Sequence, residues 1–186
     1  TAKADGNYEG TISETFEIQK AVLTVAANSA SIRYGDDAPA YSYKITGFMG
    51  KESESVLKSR PTVSCVYVKG DSVTMSPVSI TVSGGEADNY TFNYVNSTLT
   101  ISKINSTAFM KGVSSLVYNG AAQTLVTDIS STGGTLMFRV GSEGDFTAEI
   151  PVATNAGTYR VYFYVEGDEN HNDTAVAYVQ GVIGKA

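Results

Sequence analysis

Tryptophan is absent from the 186 residues, and the chain has one cysteine, one histidine and four prolines. A lone thiol, Cys65, excludes an intramolecular disulfide. It lies in the strand-like run Thr62–Val68, where a small buried hydrophobe is its expected state. A reactive thiol needs a cationic neighbour, and none stands close in the sequence. With His171 as the only imidazole, a Ser/His or Cys/His catalytic pair has few places to form, and no serine sits in a nucleophile-elbow pattern. Charged residues make up 17 %, below the usual quarter. The net charge of −6 is spread without blocks, which argues against nucleic acid and anionic membrane as partners, and no direct membrane insertion is expected. No long apolar run, signal peptide or lipidation motif is present.

What the chain has instead is Thr, Ser, Val, Tyr and Gly, the composition of strands and turns. It also has a period. Ile101-Ser102-Lys103-Ile104 has near copies at Ile18-Gln19-Lys20-Ala21 and Ile183-Gly184-Lys185-Ala186. Lys20 and Lys103 are 83 residues apart, and Lys103 and Lys185 are 82. A fixed spacing of that size marks an array of modules. It divides the chain into 1–20, read as the last strand of a preceding repeat, and two modules at 21–103 and 104–186. Targeting segments are then expected elsewhere in a longer protein. An Asp/Gly/Asn turn precedes each boundary: Asp5-Gly6-Asn7-Tyr8, Asp88-Asn89-Tyr90 and Gly167-Asp168-Glu169-Asn170-His171. An aromatic turn follows each: Tyr34-Gly35 and Tyr118-Asn119-Gly120.

Periodicity assigns the strands. Thr11–Ile18 places Ile12, Phe16 and Ile18 on one face, predicting a strand that docks on an open sheet edge, either of module one or of a neighbouring molecule. Module one continues with strands at 21–26, 31–34, 41–46, 62–68 and 77–82, and with an ambiguous segment at 51–59 that fits one or two helical turns. Tyr90, Phe92 and Tyr94 are even-numbered while Leu99 and Ile101 are odd, so an extra residue or tight turn belongs at Asn96-Ser97. Module two reads as strands at 109–118, 124–129, 135–140, 147–151, 160–165 and 174–183, with a turn over 167–173. Asn155-x-Gly157-x-Tyr159 has the layout of a tyrosine corner. The expected class is all-β: two tandem Ig-like β-sandwich modules, the first with a β-grasp-like alternative if 51–59 is helical.

The segments Tyr34-Gly35-Asp36 through Tyr41, Gly47-Phe48, Ser55-Val56-Leu57 and Asn89-Tyr90 with Leu99–Lys103 resemble the MBG domain (YGX type) of bacterial surface proteins. Tyr118-Asn119-Gly120, Asn155–Tyr159 and Gly167-Asp168-x-Asn170 resemble its sister repeats and bacterial Ig-like modules. The resemblance implies a non-catalytic repeat of an adhesin-like protein, extracellular and either secreted or held at the bacterial surface. It implies a stalk or spacer role in cell adhesion. Neighbouring repeats are the implied partners, with host glycan, mucin or a surface protein as the alternative ligand. It transfers no catalytic residues and no cofactor.

The remaining chemistry is thin. Asp168, Asn170 and Asp173 could offer oxygens to calcium, but EF-hand spacing is absent and a solvated acidic turn is the plainer reading. Twelve tyrosines could form sugar-stacking platforms, although alternating strand positions suit cross-strand packing. A Lys–Asn isopeptide cross-link from Lys20 or Lys103 is conceivable, without a paired acid at a defined spacing. The residues singled out are thus structural: Tyr34, Gly35, Asn89, Tyr90, Asn155, Gly157 and Tyr159.

Overall fold

A computed structural model describes residues 2–3 and 11–186, with side chains from residue 13 onward. The fold is all-β. Its only helical elements among the described residues are two 3-10 turns, Glu54–Val56 and Val73–Met75. Strand β1 (Ala2–Lys3) pairs antiparallel with β2 (Thr11–Ile12). The long strand expected over Thr11–Ile18 therefore stops at Ile12. Residues 13–20 are irregular, and Phe16 and Ile18 are 87 % and 84 % exposed. Among the described residues, 13–18 thus pair with no sheet edge of module one, and the pairing of this run is confined to Thr11–Ile12. The turn expected at Asp5–Tyr8 lies outside the described residues.

Next come β3 (Ala21–Ala27), β4 (Ala30–Arg33), β5 (Tyr43–Thr46), β6 (Leu57–Cys65), β7 (Val78–Ala87), β8 (Tyr90–Val95) and β9 (Ser97–Ser102). The segment 51–59 is not an α-helix. It holds the single 3-10 turn Glu54–Val56, within the one or two helical turns expected, and then enters β6 at Leu57. β6 also ends at Cys65, earlier than the expected Val68, and leaves Cys65 half-buried. The parity break is real. Asn96 belongs to neither flanking strand, β8 pairs with β3, and β9 pairs with β4. The Asn96 side-chain oxygen accepts from Val82 N at 3.2 Å. The residue that breaks the strand thus satisfies a backbone donor.

The chain continues as β10 (Ile104–Asn105), β11 (Thr107–Gly112), β12 (Leu116–Val117), β13 (Gln123–Thr124), β14 (Val126–Thr132), β15 (Gly134–Val140), β16 (Val152–Ala153), β17 (Gly157–Gly167), β18 (His171–Asn172) and β19 (Ala177–Gly184). Three expectations change. The strand over 109–118 is interrupted after Gly112, where a Cβ would stand 1.8 Å from Gln180 O; only glycine permits that approach. The strand at 147–151 is a single bridge, Phe138 to Thr147, and regular pairing resumes at Val152. The turn over 167–173 ends at Asn170, because His171–Asn172 joins β10 as a parallel strand.

The chain forms two compact units. One is Thr1–Ser29, Tyr41–Cys65 and Ser79–Ser97; the other is Ala30–Ala40, Val66–Val78 and Thr98–Ala186. In the first, β3 lies between β5 (antiparallel) and β8 (parallel), and β6 pairs with β7. Its core is Leu23, Val25, Ile45, Val82, Ala87 and Tyr90. In the second, β12-β19-β17-β15 form one sheet and β11 pairs with β14. Met110, Leu125 and Val126 meet Phe138, Val161, Phe163 and Ile183 between these layers, an Ig-like β-sandwich arrangement. Leu125 and Val161 are 0 % exposed; full burial of such a side chain is worth about 1.5–3 kcal/mol.

Candidate functional site: the lysine–asparagine clamps

The two boundary lysines meet the same kind of partner. Lys20 Nζ donates to Ala87 O at 3.5 Å, and Ala21 N donates to Asn89 O at 2.9 Å. Ala21 then faces Tyr90 in the parallel β3–β8 ladder. Lys103 Nζ donates to Asp168 O at 3.0 Å, and Ile104 N donates to Asn170 O at 3.1 Å. Ile104 faces His171 in the parallel β10–β18 ladder. In both cases the lysine binds the carbonyl two residues before the asparagine, and the next backbone N–H binds the asparagine carbonyl. The far end of each repeat matches too. Tyr34 N donates to Ser102 O and Tyr118 N to Gly184 O, both at 2.9 Å. Ile32 faces Ile101 and Leu116 faces Ile183, both in parallel pairs.

The clamps differ in what stands on them. At the first, Tyr90 is 4 % exposed. Its hydroxyl accepts from Met49 N at 2.9 Å and donates to the Glu52 carboxylate, and its ring meets Phe48 edge-on at 5.9 Å. The bond to Glu52 raises the Tyr90 phenol above its ordinary pKa. Asp88 pairs with Lys58, and that bond holds the Lys58 ammonium above its usual value. Asn89 is exposed and its side-chain amide has no hydrogen-bond partner among the described residues.

At the second clamp, Asn170 is half-buried and its side chain is used. Its Oδ1 accepts from Val73 N at 2.8 Å and from Ser72 Oγ at 3.0 Å. The imidazole of His171 is 16 % exposed, contacts Tyr34 edge-on at 5.6 Å and is 2.7 Å from Asp168 Oδ1. That hydrogen bond, with Asn170 N at 2.8 Å on the same oxygen, holds the Asp168 carboxyl below the ordinary aspartate range. Lys103 Nζ also reaches His171 O at 3.3 Å. Ser72, Val73 and Tyr34 belong to the first repeat of the sequence, and Asn170 and His171 to the second.

Sequence reasoning missed Gly133. Its carbonyl accepts from Asp168 N at 3.0 Å and from the buried Ser106 Oγ at 2.9 Å. A Cβ there would stand 2.4 Å from the His171 ring, and its φ is +79°. Nothing in a Gly-Gly pair distinguishes a glycine that seats an imidazole from one that only turns the chain.

The other singled-out residues have defined places. Tyr34-Gly35 is a turn with Gly35 at φ +83°. Tyr159 OH donates to Asn155 O at 2.7 Å, the bond of a tyrosine corner, and Gly157 opens β17. The calcium candidates point to separate tasks: Asp168 as above, Asn170 on Ser72 and Val73, and Asp173 accepting from Gly167 N at 2.8 Å. Among the described residues no cluster of three His, Cys, Asp or Glu has metal-binding geometry. The ammonium groups of Lys20 and Lys103 sit on peptide oxygens. On the outer sheet face, Tyr162 and Tyr178 lie 5.6 Å apart, with Arg160 over Tyr178 at 5.3 Å and Arg139 over Tyr162 at 5.4 Å.

Residues 23–100 match the family model of the MBG domain (YGX type). Such domains are repeat modules typical of surface proteins and are generally structural rather than catalytic. No curated protein matches the chain. No helix among the described residues is long and apolar enough to cross a membrane.

Proposed function

We propose that the chain is a pair of non-catalytic repeat modules, 21–103 and 104–186, from an extracellular, adhesin-like bacterial surface protein, and that they act as a stalk or spacer in cell adhesion. One observation carries the reading: the polar contacts of Lys20-Ala21 with Ala87 and Asn89 recur in Lys103-Ile104 with Asp168 and Asn170. The same lysine and backbone contacts stand where one repeat gives way to the next, a nearest-neighbour joint of the kind that orders a chain of modules. A spacer needs defined joints and no ligand of its own. Single-molecule extension of the whole chain tests this. Discrete module unfolding, with no saturable binding to glycan or mucin arrays, is the expected outcome.

The exposed Tyr178, 53 % accessible beside Tyr162 and Arg160, favours a second reading. An exposed aromatic ring beside a guanidinium suits contact with a sugar. Saturable binding of the chain to a host glycan, lost in Tyr178→Ala, would replace the spacer role with direct recognition.

A further inference from the structure

Asn170 and Asn89 hold the same place in their repeats. Each follows by two residues the carbonyl that a boundary lysine grips, and each gives its own carbonyl to the residue after that lysine. Their side chains differ in one respect. The Asn170 amide oxygen holds the Ser72-Val73 corner, the start of the 3-10 turn between β6 and β7. The Asn89 amide faces solvent beside a hollow lined by Ile18, Gln19, Lys20 and Asp88.

A second observation marks the same surface as unfilled. Ile18 and Ile101 each stand two residues before a boundary lysine. Ile101 is 2 % exposed and paired in β9; Ile18 is 84 % exposed, with Phe16 at 87 % beside it in sequence. The equivalent polar and apolar groups are thus satisfied at one boundary and bare at the other.

We propose that Asn89 and its hollow are the receptor for a preceding repeat of the same kind, whose Ser-Val corner, matching Ser72-Val73, donates a hydroxyl and a backbone N–H to Asn89 Oδ1. The occupant is defined by chemistry. It is a tight turn that presents an unpaired N–H next to a serine hydroxyl, followed by a strand that brings an isoleucine to the position of Ile18. A carboxylate, which only accepts, does not meet the donor requirement of an amide oxygen. The Ser72-Val73 corner of a second copy is already occupied by Asn170, so the receptor is filled by an additional module in the same chain. This inference rests on the reading of the chain as part of an array.

The test is a chain in which residues 21–103 are placed once more ahead of Ala21, so that a second Lys103 stands where Lys20 does. Hydrogen exchange is followed at Val73 in each copy of module one. In the extended chain, Asn89→Ala in the second copy speeds exchange of the added copy's Val73 amide about fivefold or more, the loss of one hydrogen bond. Asn170→Ala does the same to the original Val73. Unchanged exchange on Asn89→Ala, with Asn170→Ala effective, overturns the receptor and leaves the array standing. No effect of either substitution overturns the joint itself. Should the extended chain not fold, the 186-residue chain still decides. There Asn89→Ala leaves the melting temperature unchanged while Asn170→Ala lowers it; a drop with Asn89→Ala would show that Asn89 already has its partner and would overturn the proposal.

Discussion

Asn170 Oδ1 accepts the backbone N–H of Val73 at 2.8 Å, across 97 residues of sequence. The contact ties the turn that precedes the final strand of one repeat to the corner that precedes β7 in the other. A side-chain amide suits that task, since it carries no charge to desolvate and still offers an acceptor to two donors at once.

The carboxylate under this joint makes it sensitive to acid. Asp168 binds His171 Nδ1 and Asn170 N, and its pKa is lowered in the folded chain. A depressed carboxyl contributes stability above its unfolded pKa and loses it as pH falls through the folded one. The melting temperature of the parent should therefore exceed that of Asp168→Ala at neutral pH, and the gap should close below the ordinary aspartate range. A gap of constant size from neutral pH into acid would show that Asp168 acts by shape and not by charge.

Gly133→Ala should be among the more damaging substitutions of a surface turn. The new methyl meets the imidazole, and the residue keeps a left-handed φ of +79°. Strain and displacement together are expected to remove about 1–3 kcal/mol. Denaturant unfolding measures it; a loss below about 0.5 kcal/mol would mean that His171 moves aside freely.

How much of this was readable from residues alone varies with the atom that does the work. The joint could be located, because Lys20, Lys103, Asn89 and Asn170 recur at fixed spacing. What the lysines bind was hidden. Their acceptors are backbone carbonyls of Ala87 and Asp168, two residues with nothing chemical in common. The strand break at Asn96 was legible as a change of parity, since a side-chain period of two cannot slip without leaving a trace. His171 was placed in a turn for want of any signal that Ile104–Asn105 would pair with it; two-residue parallel strands have no periodicity. The run Thr11–Ile18 shows the opposite failure. Its alternation is clear, but pattern alone does not supply the facing surface, and Phe16 and Ile18 stay in solvent.

The tyrosine corner supplies an independent check on the second sandwich. Tyr159→Phe deletes only the hydroxyl that donates to Asn155 O at 2.7 Å and leaves the half-buried ring in place. A loss of about 1 kcal/mol is expected, read as a shift in the denaturant midpoint at constant slope. A change in slope instead would indicate that the corner holds the compactness of the unit and not one bond.

The central claim is that a clamp at the repeat boundary couples residues of one repeat to residues of the next. A double-mutant cycle on Ser72→Ala and Asn170→Ala in the 186-residue chain tests it most directly. Asn170→Ala alone should cost about 1–2 kcal/mol, because it strands Val73 N as well as the serine hydroxyl. Ser72→Ala should cost less in its presence than in the parent, giving a coupling of about 0.5 kcal/mol or more. Strict additivity of the two substitutions would contradict the account.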